Sequence, residues 1–454
     1  MKTTQFVHEG LGNGSYIVDL GNGSAVLIDP DRNVKRYLDA LATNQLRAAG
    51  IFETHLHADF VSGANELRAQ TGAPIFVPSE AESKLPHQGL RGGQSLRLAG
   101  CEVTTLASPG HTPEHLSYAY RAASGPPLLF SGGSLIVGGA ARTDLISAAM
   151  TEPLTRAQFH TLHRAFSDLP DETLLYPTHG GGSFCSSGAG QERTSTLGRE
   201  RRDNPLLSFS DEEEFVAWFP TTFPAVPDYF LRLRAVNQAG PRLRKEISGP
   251  PPLQPDEFAR LLSTSVLVDG RSKEAYARGH IPGSLSNAYR DDFPVWLGWL
   301  VPENASLLFV ADGTTLDAMV EQSLLVGYER FAGWLKDGVG AWEASGRELR
   351  RTELADATRA RKLVVDGAIT LDVREPSEYE AEHIAGSLHI PLGKLASKAQ
   401  TLPSDRPVVV YCGHGERSST GISLLEAAGL RDLVNLDGGI VAWASAGYEV
   451  ARGV

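Results

Sequence analysis

Cys412 closes a short apolar run, Val408-Val409-Val410-Tyr411, and is followed by Gly413-His414-Gly415-Glu416-Arg417. The run has strand character, and Ile422, Leu424, Leu425 and Ala428 beyond it follow a helical period. A thiol at the carboxyl end of a central strand, facing the start of a helix, stands in the usual ligand crevice of an open α/β sheet. The amides of a Gly-rich turn and the positive end of a helix both favour a thiolate or a bound anion. Arg417 adds a fixed positive charge. Together these features describe a nucleophilic cysteine with the Gly413–Arg417 amides as its cradle. A small residue ending a core strand is the ordinary alternative, and the loop chemistry argues against it.

A second constellation lies near the other end of the chain. Thr54-His55-Leu56-His57-Ala58-Asp59-Phe60 alternates two imidazoles and a carboxylate after an apolar strand. His111 sits in Pro109-Gly110-His111-Thr112-Pro113, and His179 in Pro177-Thr178-His179-Gly180. A lone histidine is usually structural. Several at strand ends, beside Gly and Pro turns, point to convergence on a metal. Cys185 lies six residues beyond His179, and its commoner role would be a small core residue.

The elements that must position these groups follow from punctuation and periodicity. The 454 residues correspond to about three domains. Residues 1–240 alternate short β-rich runs, such as Ser15–Asp19, Ala25–Asp29, Ala73–Val77 and Pro127–Ser131, with helical stretches. Residues 241–254, containing Ser248-Gly249-Pro250-Pro251-Pro252, read as a stiff linker. An internal repeat of about 100 residues follows. Val268-Asp269-Gly270-Arg271 and Gly279-His280-Ile281-Pro282-Gly283-Ser284-Leu285 return as Leu371-Asp372-Val373-Arg374 and Glu382-His383-Ile384-Ala385-Gly386-Ser387-Leu388. The copies span 255–352 and 356–454. Strands alternating with helices predict parallel sheets. Ala311 stands where Cys412 stands in the second copy, and Asp312-Gly313-Thr314-Thr315-Leu316-Asp317 lacks the arginine and adds acids. The first copy is therefore expected to be catalytically empty, a spacer or docking surface. Tyr289, Phe293, Trp296 and Trp299 within it read as core or inter-domain packing.

Composition limits the partners. A net charge of −12 without a long Lys/Arg run argues against nucleic acid or an anionic membrane. No apolar run approaches the ~18 residues of a membrane span, and the N-terminus lacks the apolar core of a signal peptide. Three cysteines, Cys101, Cys185 and Cys412, cannot form a disulfide framework, which points to a reduced, cytoplasmic setting.

The second repeat resembles the rhodanese family. The resemblance rests on Asp372-Val373-Arg374-Glu375, His383-Ile384-Ala385-Gly386-Ser387, the Cys412–Arg417 loop and the Gly438-Gly439…Trp443 ending. It implies that Cys412 accepts sulfane sulfur as a persulfide. Gly413, His414, Gly415 and Glu416 would supply the cradle, and Arg417 a charge partner or brace. Asp372 and Arg374 would hold the loop. Four residues separate Cys412 from Arg417, the sulfur-type loop; related phosphatases have one more.

Residues 1–235 resemble the metallo-β-lactamase fold, an αββα sandwich, and within it the persulfide dioxygenase and glyoxalase II branch. Asp29-Pro30, His55–Asp59, Gly110-His111-Thr112-Pro113, Arg142-Thr143-Asp144 and Pro177-Thr178-His179 carry that likeness. It implies Fe(II), with Zn²⁺ as the alternative, and candidate ligands His55, His57, His111, Asp59 and His179. Two positions depart from the pattern: Phe60 replaces a histidine, and Gly133 takes the place of an aspartate ligand. Three outcomes stay open. A His55/His57/His111 site could hold the metal; a carboxylate such as Asp59, or more remotely Asp144, could move in; or the domain could bind no metal.

The whole chain thus resembles persulfide dioxygenase–rhodanese fusions. The expected function is oxidation of a low-molecular-weight thiol persulfide coupled to sulfane-sulfur transfer through Cys412, with thiosulfate or sulfite as partners and a homodimer compatible with the fold class. Fusion would raise the concentration of one site's product at the other. A sulfurtransferase with a redox-inactive scaffold or hydrolase domain is one alternative, and a persulfide carrier is another.

Overall fold

The computed structural model describes residues 1–121, 125–187 and 190–453; Val454, the end of the second repeat, lies outside them. The backbone divides into two units, Met1–Ile247 with Ser323–Gly327, and Ser248–Gln322 with Tyr328–Val454. No helix among the described residues is long and apolar enough to cross a membrane.

The N-terminal unit is built on two mixed sheets. The first runs Lys2–His8, Asn13–Asp19, Ser24–Ile28, Arg47–Phe52, Ile75–Pro78 and Gln88–Leu90 in spatial order. The second is ordered Ser195–Thr196, Leu174–Pro177, Leu128–Gly132, Leu116–Arg121, Cys101–Ala107 and Ser95–Leu98. Tyr16, Val18, Val26 and Phe52 of the first sheet pack on Val103, Tyr118, Tyr120 and Phe130 of the second. Ser24–Ile28 is buried throughout because its outer side chains, Ala25 and Leu27, meet Tyr37 and Leu41 of the helix Lys35–Thr43 and Leu67 of the helix Ala64–Thr71. A strand covered on both faces loses the alternation of a half-exposed one, which is why it reads as a continuous apolar run. On the far side Leu129 and Leu175 meet Phe159 of the helix Ala148–His160. Helix, sheet, sheet and helix make the αββα order expected. A fully buried Val, Leu or Phe among them contributes ~1.5–3 kcal/mol relative to exposure.

In the second unit the two repeats share one topology. The first orders its strands Pro252–Leu253, Phe331–Leu335, Leu307–Val310, Val266–Asp269 and Leu285–Ser286, all parallel. The second orders them Glu353–Ala355, Leu433–Leu436, Val408–Tyr411, Ile369–Asp372 and Leu388–His389, again all parallel. The segment read as linker does more than connect: Pro252–Leu253 is an edge strand. The Pro251 and Leu253 carbonyls accept from the Trp334 and Lys336 amides, both at 2.9–3.0 Å, and an edge tolerates prolines that cannot donate.

The repeats pack on each other. Phe293, Trp296 and Trp299 are buried, whereas Tyr289 is exposed. Trp296 and Trp299 stack at 5.5 Å, and Trp299 presses on the backbone of Gly393, where a Cβ would stand 2.3 Å from its ring. Ser286 Oγ lies 2.9 Å from Ser419 Oγ, and the Ser286 amide donates to Ser423 Oγ.

Candidate functional site

Val408–Tyr411 occupies the middle of its sheet and is wholly buried. It delivers Cys412 to the carboxyl edge with 2% of its surface exposed. The chain then turns through Gly415, at φ +109°, into the helix Glu416–Ala427. That turn aims the Gly415 N–H at Cys412 Sγ, 3.1 Å away. The helix N-terminus lies just beyond, so the amide and the helix dipole act on the same sulfur. Ser418 Oγ is 3.7 Å from Sγ but donates to Asn435 Oδ1 at 2.6 Å, and Asn435 Nδ2 donates to the Gly415 carbonyl at 2.9 Å. The buried Asn435 thus ties the loop to the neighbouring strand. Gly439, at φ +58°, permits a close approach from the other side: a Cβ there would lie 2.3 Å from the Cys412 carbonyl oxygen. The Ile440 amide donates to that oxygen at 2.9 Å. His414 is exposed, Gly413, Glu416 and Arg417 are half-buried, and Gly415 is buried.

Arg417 forms a two-pronged pair with Glu378, both contacts 2.7 Å. Burial works against the Glu378 carboxylate, but the Arg417 hydrogen bonds outweigh it and hold the acid below its usual range. Of the two roles open to Arg417, this geometry is that of a brace between the loop and the helix Pro376–Ala381. Arg374 makes an equivalent fork on Asp372 and donates to the Glu382 carbonyl at 2.6 Å. Its counterpart Arg271 does the same with Asp269 and the Gly279 carbonyl. A device present in both copies serves the fold.

The first copy carries Ala311 at the end of Leu307–Val310, with Asp312 exposed beside it. Gly338, the counterpart of Gly439, has a similar φ of +65° and nothing within 4 Å of its added Cβ. Its loop makes no close approach there.

The imidazoles of His55, His57, His111 and His179 are buried. His55 follows Arg47–Phe52, His111 follows Cys101–Ala107, and His179 follows Leu174–Pro177, so three strand ends meet. One ligand atom each from His55, His111 and His179 lies within 4.8 Å of the others. Their outer nitrogens are all engaged. His55 Nδ1 meets Thr54 Oγ1 at 2.8 Å, whose own proton goes to Asp29 Oδ2. His111 Nδ1 donates to the Arg142 carbonyl at 2.7 Å, and His179 Nδ1 to Asn13 Oδ1 at 3.1 Å. An imidazole that donates from Nδ1 keeps its Nε2 lone pair for the centre, the arrangement in which proteins present neutral histidine to a metal. Burial, with the neighbouring imidazoles, pulls His55 and His111 well below the ordinary range. His55 Nε2 and His179 Nε2 stand 3.3 Å apart. Both ring atoms lie close enough together to ligate one cation.

His57 has a different setting from the one its place in the motif suggests. Its Nε2 lies 3.1 Å from Glu53 Oε2 and 3.3 Å from Asp29 Oδ1. Burial alone would strip its proton, but the two carboxylates offset that and hold its pKa at about 10. Phe60 stacks on it at 4.3 Å. His57 also belongs to a second group with Asp59 and His179, in which the buried Asp59 Oδ1 has no hydrogen-bond partner. Asp144, the remote candidate, is taken by Arg142 at 2.6 and 2.8 Å. At Gly133 an added Cβ would stand 2.5 Å from His111 Cδ2, so the His111 ring fills the space that an aspartate side chain would need. Burial and Asp59 keep the Cys185 thiol protonated, well above the usual range. All three cysteines are free and buried.

Spacing alone did not reveal Glu378, Asn435, Asn13 or Thr54. Each reaches its partner from a distant or unpatterned position, and only Thr54, adjoining His55, sits beside a motif.

The rhodanese-like domain model matches residues 254–345 and again 353–446, and the metallo-beta-lactamase superfamily model matches 9–188. The chain is 30% identical over 196 residues to human mitochondrial persulfide dioxygenase ETHE1, covering 43% of this chain and 71% of that protein. It is 33% identical over 163 residues to a hydroxyacylglutathione hydrolase of Pseudomonas entomophila, covering 36% of this chain and 59% of that one. A crystal structure of a metallo-beta-lactamase from Staphylococcus aureus superposes with a TM-score of 0.66 at 28% identity, covering 74% of this chain and 98% of that one. The chain belongs to the metallo-β-lactamase superfamily, with homology to the persulfide dioxygenase ETHE1 at its N-terminus followed by two rhodanese-like domains.

Proposed function

We propose that this sulfur-metabolism protein transfers sulfane sulfur through a persulfide on Cys412, and that its N-terminal domain oxidises a low-molecular-weight thiol persulfide. The observation that carries the transfer is the Gly415 N–H, 3.1 Å from Cys412 Sγ at the head of a helix. The Cys412 thiolate attacks the outer sulfur of thiosulfate or of a persulfide. An S–S bond forms on Cys412 as the donor's S–S bond breaks, and the electron pair leaves with sulfite or the donor thiolate. An acceptor thiol or cyanide then takes the outer sulfur and returns Cys412 to the thiolate. In both states the sulfur bears negative charge, which the Gly415 amide and the helix N-terminus stabilise. Glu378 and Arg417 keep the loop curled.

In the N-terminal domain His55, His111 and His179 would hold a metal, with iron favoured by the likeness to persulfide dioxygenases. Bound iron would supply the activation of O₂ needed to release sulfite and thiol from the persulfide. The chain's own share is to keep three imidazoles aimed, through Thr54, the Arg142 carbonyl and Asn13. A hydrolase or scaffold role for this domain has one specific support: Gly133 brings no carboxylate to the trio, and a three-His Zn²⁺ site suits hydrolysis.

Two measurements test these assignments. Cys412→Ser should abolish sulfur transfer from thiosulfate to cyanide; transfer that survived the change would refute the Cys412 role. Purified chain should contain iron and consume O₂ with glutathione persulfide. Zinc in place of iron, with no O₂ uptake, would move the domain to the hydrolase reading.

A further inference from the structure

Lys273 opens the helix Lys273–Arg278 of the first repeat, yet three acceptors of its ammonium group belong to the second. Nζ donates to the His414 carbonyl at 2.7 Å and lies 2.9 Å from Asp437 Oδ1 and 3.3 Å from Glu416 Oε1. An ammonium group has three N–H donors, so its capacity is matched. Only 9% of the residue is exposed. The His414 carbonyl and the Gly415 N–H are the two ends of one peptide group, and that N–H faces Cys412 Sγ at 3.1 Å. A cation on the oxygen of a peptide polarises it and strengthens the donor at the nitrogen. It also pins the plane of the peptide and so the direction of the N–H. Gly415 leaves room for this: a Cβ there would stand 2.9 Å from Lys273 Nζ. The counterpart of Lys273 in the second repeat is Pro376, which has no cation to offer, so the contact is not a relic of the shared fold.

We propose that Lys273, from the repeat that has lost its nucleophile, is a positioning residue for Cys412, holding and polarising the His414–Gly415 peptide so that its N–H stabilises negative charge on Sγ. The empty repeat is then part of the active site. The idea rests on the sulfur-transfer reading only in naming what the charge is for. The charged groups around the loop include Lys273, Glu416 and Asp437 on this side and Arg417 with Glu378 on the other, where Asp292 and Glu375 also act on Arg417.

The test uses the full chain and reads the rate at which iodoacetamide alkylates Cys412 as a function of pH, by mass of the Cys412 peptide, beside thiosulfate-to-cyanide transfer. Lys273→Met should slow alkylation at neutral pH by about three- to tenfold and move the profile to higher pH. Lys273→Arg should recover most of the rate. Asp437→Asn removes a carboxylate that competes for the ammonium, so its alkylation should equal or exceed that of the unmodified chain. A Lys273→Met profile overlying the original would overturn the proposal, even if sulfur transfer fell. Should Lys273→Met fail to fold, Asp437→Asn decides: slower alkylation overturns the proposal, and equal or faster alkylation supports it. If the alkylation series behaves as expected but the unmodified chain moves no sulfur, the sulfur-transfer reading fails and the role of Lys273 stands.

Discussion

Gly439→Ala and Gly338→Ala place the same change at matched positions of the two repeats. The wild-type glycines have φ values of +58° and +65°, so both variants force a left-handed alanine at a cost of ~1–2 kcal/mol. They differ in what the new methyl group meets. At Gly338 there is nothing within 4 Å, whereas at Gly439 the Cys412 and Gly413 carbonyl oxygens stand 2.3 and 2.4 Å away. An ordinary carbon–oxygen contact is about an ångström longer. The backbone that must yield is the loop that holds Cys412. A displacement of about 1 Å in reacting groups costs on the order of 100-fold in rate. Gly338→Ala should therefore lower stability by ~1–2 kcal/mol and leave the rate of thiosulfate-to-cyanide transfer unchanged. Gly439→Ala should lose more stability and also transfer on the order of 100-fold more slowly. Urea unfolding and steady-state kinetics on the two proteins decide it. Equal stabilities with wild-type transfer in both would refute the claim that Gly439 is there to let the cysteine loop curl.

Glu378→Gln should remove the pH dependence that the Arg417 pair adds to stability. The folded Glu378 carboxyl is held below its usual range, because the Arg417 bonds outweigh burial. Its contribution is present above the ordinary carboxylate pKa, ~4.3, and is lost as pH falls through the depressed folded value. Urea midpoints should fall more steeply on acidification in the unmodified chain than in the variant. The gap near neutral pH should be roughly 0.5–1 kcal/mol, since the pair is partly exposed. Gly393→Ala drives a methyl group to 2.3 Å from the Trp299 ring and should cost about 1–3 kcal/mol through overpacking, visible as a lower Tm. His111→Ala should reduce bound metal per chain, measured by elemental analysis, while leaving Cys412 alkylation unaltered; unchanged metal content would remove His111 from the site.

Local patterns revealed what is local. The buried strands, the repeat, the Gly-rich loop and the histidines at strand ends are all short-range signals, and each appears where its pattern lies. Long-range partnerships left no trace. Glu378 reaches Arg417 across 39 residues, and Asn13 reaches His179 across 166, with nothing in the spacing of either pair to announce it. The histidine motif illustrates the limit. His55 and His57 alternate along one segment, yet buried carboxylates at Asp29 and Glu53 take the His57 ring. Two residues of identical chemistry two positions apart are separated by partners that the motif does not contain. Phe60 stacks on His57, which makes the departure from the family pattern at that position a packing contact.

The first repeat has Ala311 where its sister has Cys412, yet its side chains support the Cys412 loop and the helix beyond it. Trp299 fills the hollow over Gly393, Ser286 bonds the helix Glu416–Ala427 at Ser419 and Ser423, and His280 meets Glu426 on the same helix at 2.9 Å. That helix points its N-terminus at Cys412. Its orientation, and so the direction of its dipole, is set partly by side chains of the empty repeat. Ala311 brings no thiol to the first loop and Asp312 adds a negative charge, and neither residue takes part in these contacts. Support of the sister repeat also comes from beside the empty loop itself: Lys273 opens the helix that follows Val266–Asp269, the strand paired with Leu307–Val310.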